Sequence, residues 1–150
     1  TIKGELGHSL YEEVTGLKSD QNQPGFDSTL EYNINQALVQ AVSTNVIKKV
    51  ITFSKGGLTT AILGLYLKLN CEYGIKIHIS RKLKQEELLF GESFGSALVI
   101  IGEKELMEFQ RICMLHGIPS STIGRLQIKQ EISVNNILII PEKILKTLPE

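Results

Sequence analysis

The sequence lacks an excess of charge of either sign. Sixteen Lys and Arg residues balance sixteen Asp and Glu residues in a chain of 150 residues, so the formal net charge is zero. Proteins that bind nucleic acid or an anionic membrane surface usually carry a strongly basic surface. The composition therefore argues against both classes of partner.

Cysteine is scarce, and long apolar runs are missing. Cys71 and Cys113 lie far apart without the short spacing of a zinc or redox pair, so we expect reduced thiols in a cytoplasmic protein. No apolar segment approaches the roughly 20 residues that cross a bilayer, and residues 1–9 contain no signal-peptide core. We therefore expect a soluble, intracellular protein. The chain starts without Met, and we expect it to be a piece of a longer polypeptide.

Familiar catalytic and metal-binding patterns are also missing. The three histidines, His8, His78 and His116, stand in unrelated contexts, so no Ser-His-Asp or Cys-His set can be assembled. No histidine or cysteine has a second one at metal-ligand spacing, and we expect no metal site. The sequence contains neither a Walker loop nor a G-x-G-x-x-G fingerprint. Nucleophilic catalysis is therefore not predicted.

What the sequence does contain is a strand, a glycine turn and a helix in succession. Residues 47–53 are rich in β-branched apolar side chains and predict a buried strand, and residues 58–69 have helical apolar spacing. The turn between them consists of Ser54, Lys55, Gly56 and Gly57. Paired glycines permit positive φ, and a helix N-terminus favours an anion. The turn is therefore a candidate phosphate-binding loop, although its spacing alone favours a plain strand-to-helix turn.

A second turn, at residues 91–96, is expected to face the first. It contains Glu92 and Ser93 and precedes the run 97–101, which is apolar on both faces and so predicts a central strand. Glu92 is a candidate functional carboxylate at the end of a strand. A solvated glutamate in a turn explains the same residue equally well.

The remaining patterns fix the fold class. A helix capped by Asp27 or Ser28 has an apolar face, a strand covers 74–79, a short helix covers 81–90, and a helix after 102 ends at Gly117. Edge strands are predicted over 118–132, a tight turn at Asn135 and Asn136, and a last helix after Pro141. The apolar face of the helix that follows Asp27 is predicted to consist of Leu30, Ile34, Leu38, Ala41 and Val42. The order predicts an α/β (α+β) sandwich with helices packed on a mixed, partly antiparallel sheet. We expect this domain at 27–150, after a connector or the end of a preceding domain at 1–26.

Four motifs, in order, resemble a known family. They are ITFSKGGL at 51–58, LLFGES at 88–93, CMLHGIP at 113–119 and IGRL at 123–126. They are similar to the C-terminal domain shared by the aminoimidazole ribonucleotide (AIR) synthase superfamily, and within it to the last domain of phosphoribosylformylglycinamidine synthase. That family writes the first motif S-A-H-D-V-S-D/E-G-G-L and the second L-F-G-E-S-Q-S/G-R. LGHSLY at 6–11 also resembles its L-G-G-S-E-Y.

The resemblance implies an ATP-dependent amide-to-amidine conversion in purine biosynthesis, with ammonia supplied from glutamine. It implies a phosphate- or substrate-handling role for the two turns, with ATP and Mg bound mainly outside this chain. The implied partners are the preceding domains of the same enzyme, a glutaminase subunit or domain and a small-molecule ribonucleotide. The isolated piece is expected to be inactive, and apolar surface exposed by excision favours a homodimer.

Departures from the family pattern leave alternatives open. Ile51 and Thr52 stand where the family has His-Asp, and Lys55 replaces an acidic residue. Residues 94–97 replace the stretch that ends in arginine, so a planar guanidinium fork is lost, and Lys55 supplies only a point charge. These changes favour a degenerate site. The alternatives are another enzyme of the superfamily, such as selenophosphate synthetase, thiamine-monophosphate kinase or a hydrogenase-maturation enzyme, or a structural module that kept the fold.

Overall fold

The computed structural model describes residues 2–18, 25–53, 55–80 and 82–147. Helices and strands alternate along these ranges, as the sequence predicts. The helices are α1 (Leu10–Thr15), α2 (Ser28–Ser43), α3 (Gly57–Lys68), α4 (Gln85–Phe90), α5 (Leu106–Leu115) and α6 (Glu142–Leu145), with a 3-10 turn at Glu103–Glu105. The strands are β1 (Ile47–Thr52), β2 (Gly74–Ile77), β3 (Ala97–Ile101), β4 (Gly124–Gln127), β5 (Glu131–Val134) and β6 (Leu138–Pro141).

The strands form two sheets. The larger sheet has the order β4-β2-β5-β6, in which β2 and β5 are parallel and the other two pairs are antiparallel. The smaller sheet is an antiparallel pair of β1 and β3. Helices pack against these strands, so the predicted α+β architecture with a mixed, partly antiparallel sheet is confirmed.

The prediction that 97–101 is a central strand of a larger sheet is wrong. Among the described residues β3 pairs only with β1. The prediction that β1 is a buried strand is wrong as well, because only Ile47 is buried, Val50 and Ile51 are half-buried and the other three residues are exposed. Apolar residues point to both faces of this strand pair, and each face packs against a different apolar cluster. Ile51 and Ile100 pack into the larger core with α3, whereas Val50 and Val99 pack with α2 and α5.

The prediction of edge strands over 118–132 is also wrong in part, since residues 118–123 form no strand. β4 does lie at an edge, but β5 lies between β2 and β6. Ile132 and Val134 of β5 are almost fully buried, so this strand belongs to the centre of the larger core. The exposed residues between β4 and β5, including Ile128, form the turn that separates them.

The helix ends follow the predicted local signals. The Asp27 side chain accepts a hydrogen bond from the Leu30 N–H at 3.0 Å and caps α2, and Gly117 adopts the left-handed conformation beyond α5. The predicted apolar face of α2 needs one correction, because Val42 is 49% exposed. Ala37, one helical turn before Ala41, is buried in its place.

The turn between β5 and β6 is predicted correctly and supports the larger sheet. Asn135 and Asn136 both have positive φ, as the two central residues of a type I′ turn do, and the Ile137 N–H closes this turn by donating to the Val134 carbonyl oxygen at 2.9 Å. The Asn135 side chain also bridges to the strand end beyond β2. Its Oδ1 accepts from the Ile79 N–H at 2.7 Å, and its Nδ2 donates to the Ile79 carbonyl oxygen at 2.9 Å.

Replacing Asn135 by alanine removes both bonds to Ile79 and places a residue that disfavours positive φ in the turn. We expect Asn135→Ala to lower the free energy of unfolding by about 2–4 kcal/mol, measured by urea denaturation. Asn136→Gly is the matched control, since glycine suits the second turn position. It should leave stability unchanged or slightly higher, and an equal loss in both variants would contradict the bridging role.

Among the described residues no helix combines the length and apolar character needed to span a bilayer.

Candidate functional site

The glycine turn after β1 lies where the sequence predicts it. Gly56 and Gly57 have φ values of 81° and 62° and are both buried, and α3 begins at Gly57. Lys55 is exposed. The fourth candidate of this turn, Ser54, lies outside the described residues.

The second turn connects α4 to β3 and holds the other two candidates. Ser93 is only 2% exposed, and its Oγ accepts a hydrogen bond from the Lys3 N–H at 2.9 Å. Glu92 is half-buried. Its own N–H donates to the Glu5 carbonyl oxygen at 2.8 Å. Both residues are therefore bound to the N-terminal segment, residues 2–9.

One carboxylate oxygen joins the two turns. Glu92 Oε1 accepts from the Gly56 N–H at 2.8 Å and also from the Leu10 N–H, the first residue of α1, at 2.8 Å. Hydrogen bonds from backbone N–H groups to a carboxylate are among the stronger ones in proteins. The expectation that the turns face each other is met, and we call Gly4, Leu10, Gly56, Gly57, Gly91 and Glu92 the junction.

Glycine is required where the backbones of the junction touch. A Cβ atom on Gly57 would lie 2.6 Å from the Gly91 carbonyl oxygen and 2.8 Å from the Phe90 carbonyl carbon. A Cβ atom on Gly91 would lie 2.7 Å from Gly4 Cα. Real Cβ atoms do not approach other atoms so closely, so three chain segments meet here at a separation that only glycine permits.

Two side-chain contacts next to the junction also connect its elements. Tyr11 of α1 stacks on Phe90 of α4, with ring centroids 5.1 Å apart. The Thr59 hydroxyl donates to the Leu89 carbonyl oxygen at 2.9 Å, and this bond ties the first turn of α3 to α4. The role of residues 2–11 was not predicted from composition or spacing, and the similarity of 6–11 to the family motif was the one available signal.

The junction is arranged for positioning rather than for proton transfer. Glu92 Oε1 already accepts two backbone donors, and the Ser93 hydroxyl oxygen accepts a third. The backbone of Phe90 and Gly91 lies against Gly57, at the N-terminus of α3. Of the described candidates, Lys55 alone presents an exposed charged group.

The histidines and cysteines do not join this site. His8 and His78 are exposed, and the His116 ring contacts Gln40 Oε1 at 2.8 Å on the other side of the fold. Cys113 is buried, and burial raises the pKa of its thiol. Within the described ranges, no three His, Cys, Asp or Glu side chains converge to hold a metal ion.

An open groove of about 400 Å³ lies elsewhere, beside β1. It is lined by Val42, Ile47, Lys48, Lys49, Val50 and Lys68. The Lys68 ammonium donates to the Val50 carbonyl oxygen at 3.1 Å. Lysines on an open strand edge typically guard it against pairing with another chain. The groove shares no lining residue with the junction.

Curated relatives match almost the whole chain. Phosphoribosylformylglycinamidine synthase subunit PurL of Cutibacterium acnes is 27% identical over 143 residues, which cover 94% of this chain and 18% of the relative. The same subunit of a Thermoanaerobacter species is 23% identical over 147 residues, covering 96% and 20%. The chain thus spans about a fifth of the length of these relatives. No protein-family model matches it.

Solved structures agree on the fold. T. maritima PurL complexed with FGAR has a TM-score of 0.74 and 19% identity, and the match covers 91% of this chain and 24% of that chain. T. maritima PurL complexed with ATP has a TM-score of 0.71 and 18% identity, with 83% and 23% covered. The resemblance to phosphoribosylformylglycinamidine synthase that the motifs indicate is confirmed by these comparisons.

Proposed function

We propose that this chain, similar over nearly its whole length to one segment of PurL, is the C-terminal α/β domain of a phosphoribosylformylglycinamidine synthase. The complete enzyme converts formylglycinamide ribonucleotide to formylglycinamidine ribonucleotide, using ATP and ammonia from glutamine. Residues 27–150 are the domain proper, and residues 1–26 are the connector or the end of the preceding domain. Its proposed location is the cytoplasm.

One observation carries the proposal. The match to PurL covers 94% of the chain. The two turns that resemble family motifs are distant in sequence, yet they meet through the bond between Glu92 and Gly56. A shared fold alone would not require these particular turns to touch. The contact shows that the two motifs form one place in the folded chain.

ATP and Mg²⁺ are proposed to bind mainly outside this chain. T. maritima PurL has been solved with ATP, which supports ATP as a ligand of the whole enzyme. The residues present here do not fit a magnesium site, because Glu92 Oε1 and Ser93 Oγ accept backbone hydrogen bonds and no acidic cluster surrounds them in the described ranges. Substrate contact by this chain is assigned to the first turn, through the exposed charge of Lys55.

The proposed partners are other parts of the same enzyme and its source of ammonia. A solved assembly of T. maritima is named PurLQS, which supports association of PurL with further subunits. For this chain we propose the preceding domains, a glutaminase subunit or domain and the ribonucleotide substrate.

The test uses the longer polypeptide that the proposal requires. With formylglycinamide ribonucleotide, Mg·ATP and an ammonium salt in place of glutamine, it should release ADP and form the amidine in equal amounts. ADP release that does not depend on the ribonucleotide would contradict the proposed substrate. The chain by itself should show no saturable ATP binding in a calorimetric titration, and tight binding would contradict the placement of ATP outside it.

A second candidate, a structural module with a degenerate site, is favoured by the loss of acidic residues at Thr52 and Lys55. Lys55→Ala in the longer polypeptide separates the two possibilities, with exposed Lys82→Ala as the matched control. A raised KM for the ribonucleotide in the first variant only would support substrate contact. Equal kinetics in both variants would support the degenerate module.

A further inference from the structure

We infer that Glu92 is a positioning residue that couples the N-terminal segment to the glycine turn. A single oxygen, Oε1, accepts from the Leu10 N–H and from the Gly56 N–H, each at 2.8 Å. These donors are separated by 46 positions in sequence and belong to different elements, since Leu10 starts α1 and Gly56 precedes α3. A displacement of α1 away from Glu92 therefore breaks the hydrogen bond from the Leu10 N–H to the same oxygen that binds Gly56.

The backbone of Glu92 and the neighbouring Ser93 also bind the N-terminal segment. Its backbone N–H donates to the Glu5 carbonyl oxygen at 2.8 Å, and the adjacent Ser93 accepts from the Lys3 N–H at 2.9 Å. Gly4 lies against Gly91 at a distance that only glycine allows. The N-terminal segment is thus fixed at three consecutive positions, 91 to 93. Of these, Gly91 only touches the glycine turn, at Gly57, whereas Glu92 is hydrogen-bonded to it.

The carboxylate is suited to this role by its charge and its reach. An ionised carboxylate accepts several hydrogen bonds and has no proton to donate, so two N–H groups can share one oxygen. Losing one donor frees the side chain to change rotamer, which weakens its hold on the other donor. The position of the segment at 2–10 is thereby transmitted to the backbone of the turn at Gly56.

The coupling rests on these contacts alone, and its consequence for catalysis rests on the proposed function. If residues 1–26 lead to a preceding domain, a movement of that domain reaches the turn through Glu92. The side chain then acts on the substrate only through the turn that it holds. Its carboxylate is not assigned any contact with the substrate.

A pair of variants at Leu10 isolates the first bond. Leu10→Pro removes the N–H donor, and proline is compatible with the first helical position after Ser9, whose backbone is extended. Leu10→Ala keeps the N–H and removes the side chain, so it is the matched control. We expect the Gly56 amide to exchange about 3- to 10-fold faster in Leu10→Pro than in Leu10→Ala.

The same pair in a Glu92→Ala background tests whether Glu92 carries the effect. There the Gly56 amide should already exchange on the order of 10-fold faster or more, and the difference between the Leu10 variants should disappear. Glu92→Gln keeps an acceptor oxygen and should restore part of the difference. Ser93→Ala, which frees Lys3 but leaves both Glu92 bonds, should not change Gly56.

Two results would overturn the coupling. One is equal Gly56 exchange in Leu10→Pro and Leu10→Ala when Glu92 is present, which needs no Glu92 variant to fold. The other is a difference that persists undiminished in Glu92→Ala. An absence of amidine formation by the longer polypeptide would instead contradict the proposed function and leave the exchange results standing.

Discussion

Gly57→Ala should be among the most damaging single-methyl changes in this chain. The added Cβ would lie 2.6 Å from the Gly91 carbonyl oxygen and 2.8 Å from the Phe90 carbonyl carbon. Both neighbours are backbone atoms and cannot rotate away. Alanine also disfavours the φ of +62° that this position adopts. Adding steric overlap to this strain, we expect a loss of about 2–5 kcal/mol in the free energy of unfolding, measured by urea denaturation.

Gly117→Ala separates the two causes. Gly117 has almost the same φ, +64°, but a Cβ atom there would meet nothing within 4 Å. This control should therefore show only the conformational part, about 1–2 kcal/mol. Equal losses in the two variants would mean that Gly57 is needed for its φ alone and that the two turns do not touch.

Gly91→Ala should also lower stability, for a different reason, and should loosen the N-terminal segment as well. Gly91 has φ −62° and ψ 127°, an ordinary conformation for any residue. A Cβ atom would nevertheless lie 2.5 Å from the Glu87 carbonyl oxygen and 2.7 Å from Gly4 Cα. We expect a loss of about 1–3 kcal/mol from overpacking, together with release of the N-terminal segment. Limited proteolysis should then cleave within residues 2–18 sooner than in the unmodified chain.

Gly25→Ala is the control for this second variant. Gly25 does not have a left-handed φ, and a Cβ atom there would meet nothing within 4 Å. Its stability should stay within about 0.5 kcal/mol of the original, with unchanged proteolysis. If Gly91→Ala behaves like Gly25→Ala, the close approach of Gly91 to Gly4 is not part of the folded protein.

Features set by neighbouring residues were predictable from the sequence. The Asp27 cap, the turn at Asn135 and Asn136 and the end of α5 at Gly117 each depend on a few adjacent positions. Their signals are local side-chain bonds and permitted φ values. The alternation of these elements was enough to indicate the fold class.

The partners of each strand were not predictable in the same way. β3 is as apolar as a strand buried between two others, and only the fold reveals that α2, α3 and α5 supply the cover for its pair with β1. β5 is short and contains Glu131 and Ser133, which made it resemble an edge strand. Its central position results from pairing with β2, more than fifty residues earlier in the chain.

The described site candidates lie in turns, as the sequence predicts, but their contacts could not be deduced. The sequence permits Glu92 to be a functional carboxylate or a solvated one. In the structure its side chain is half-buried, and one of its oxygens accepts two backbone hydrogen bonds. Its partners are backbone N–H groups, which every residue except proline carries. The identity of residues 10 and 56 therefore does not reveal that their N–H groups bind Glu92. The glycines at 4, 57 and 91 are the visible sign that backbones meet here.

Several apolar side chains of α2 and α5 are exposed, as is expected of a domain that contacts other domains or subunits. Val39, Met107 and Met114 are 66%, 82% and 79% exposed. Where such side chains adjoin one another, they usually mark a contact with another domain or chain.

Amide hydrogen exchange of the unmodified chain tests the junction most directly. Four N–H groups report on the junction and on the N-terminal segment bound to it. Leu10 and Gly56 donate to Glu92 Oε1, Lys3 donates to Ser93 Oγ, and Glu92 donates to the Glu5 carbonyl oxygen. We predict that all four are protected and that they lose protection together as denaturant is added, since all four bonds involve residue 92 or 93. Exchange of Leu10 and Gly56 at the rate of an unstructured peptide, while the amides of α3 and β5 remain protected, would contradict the junction.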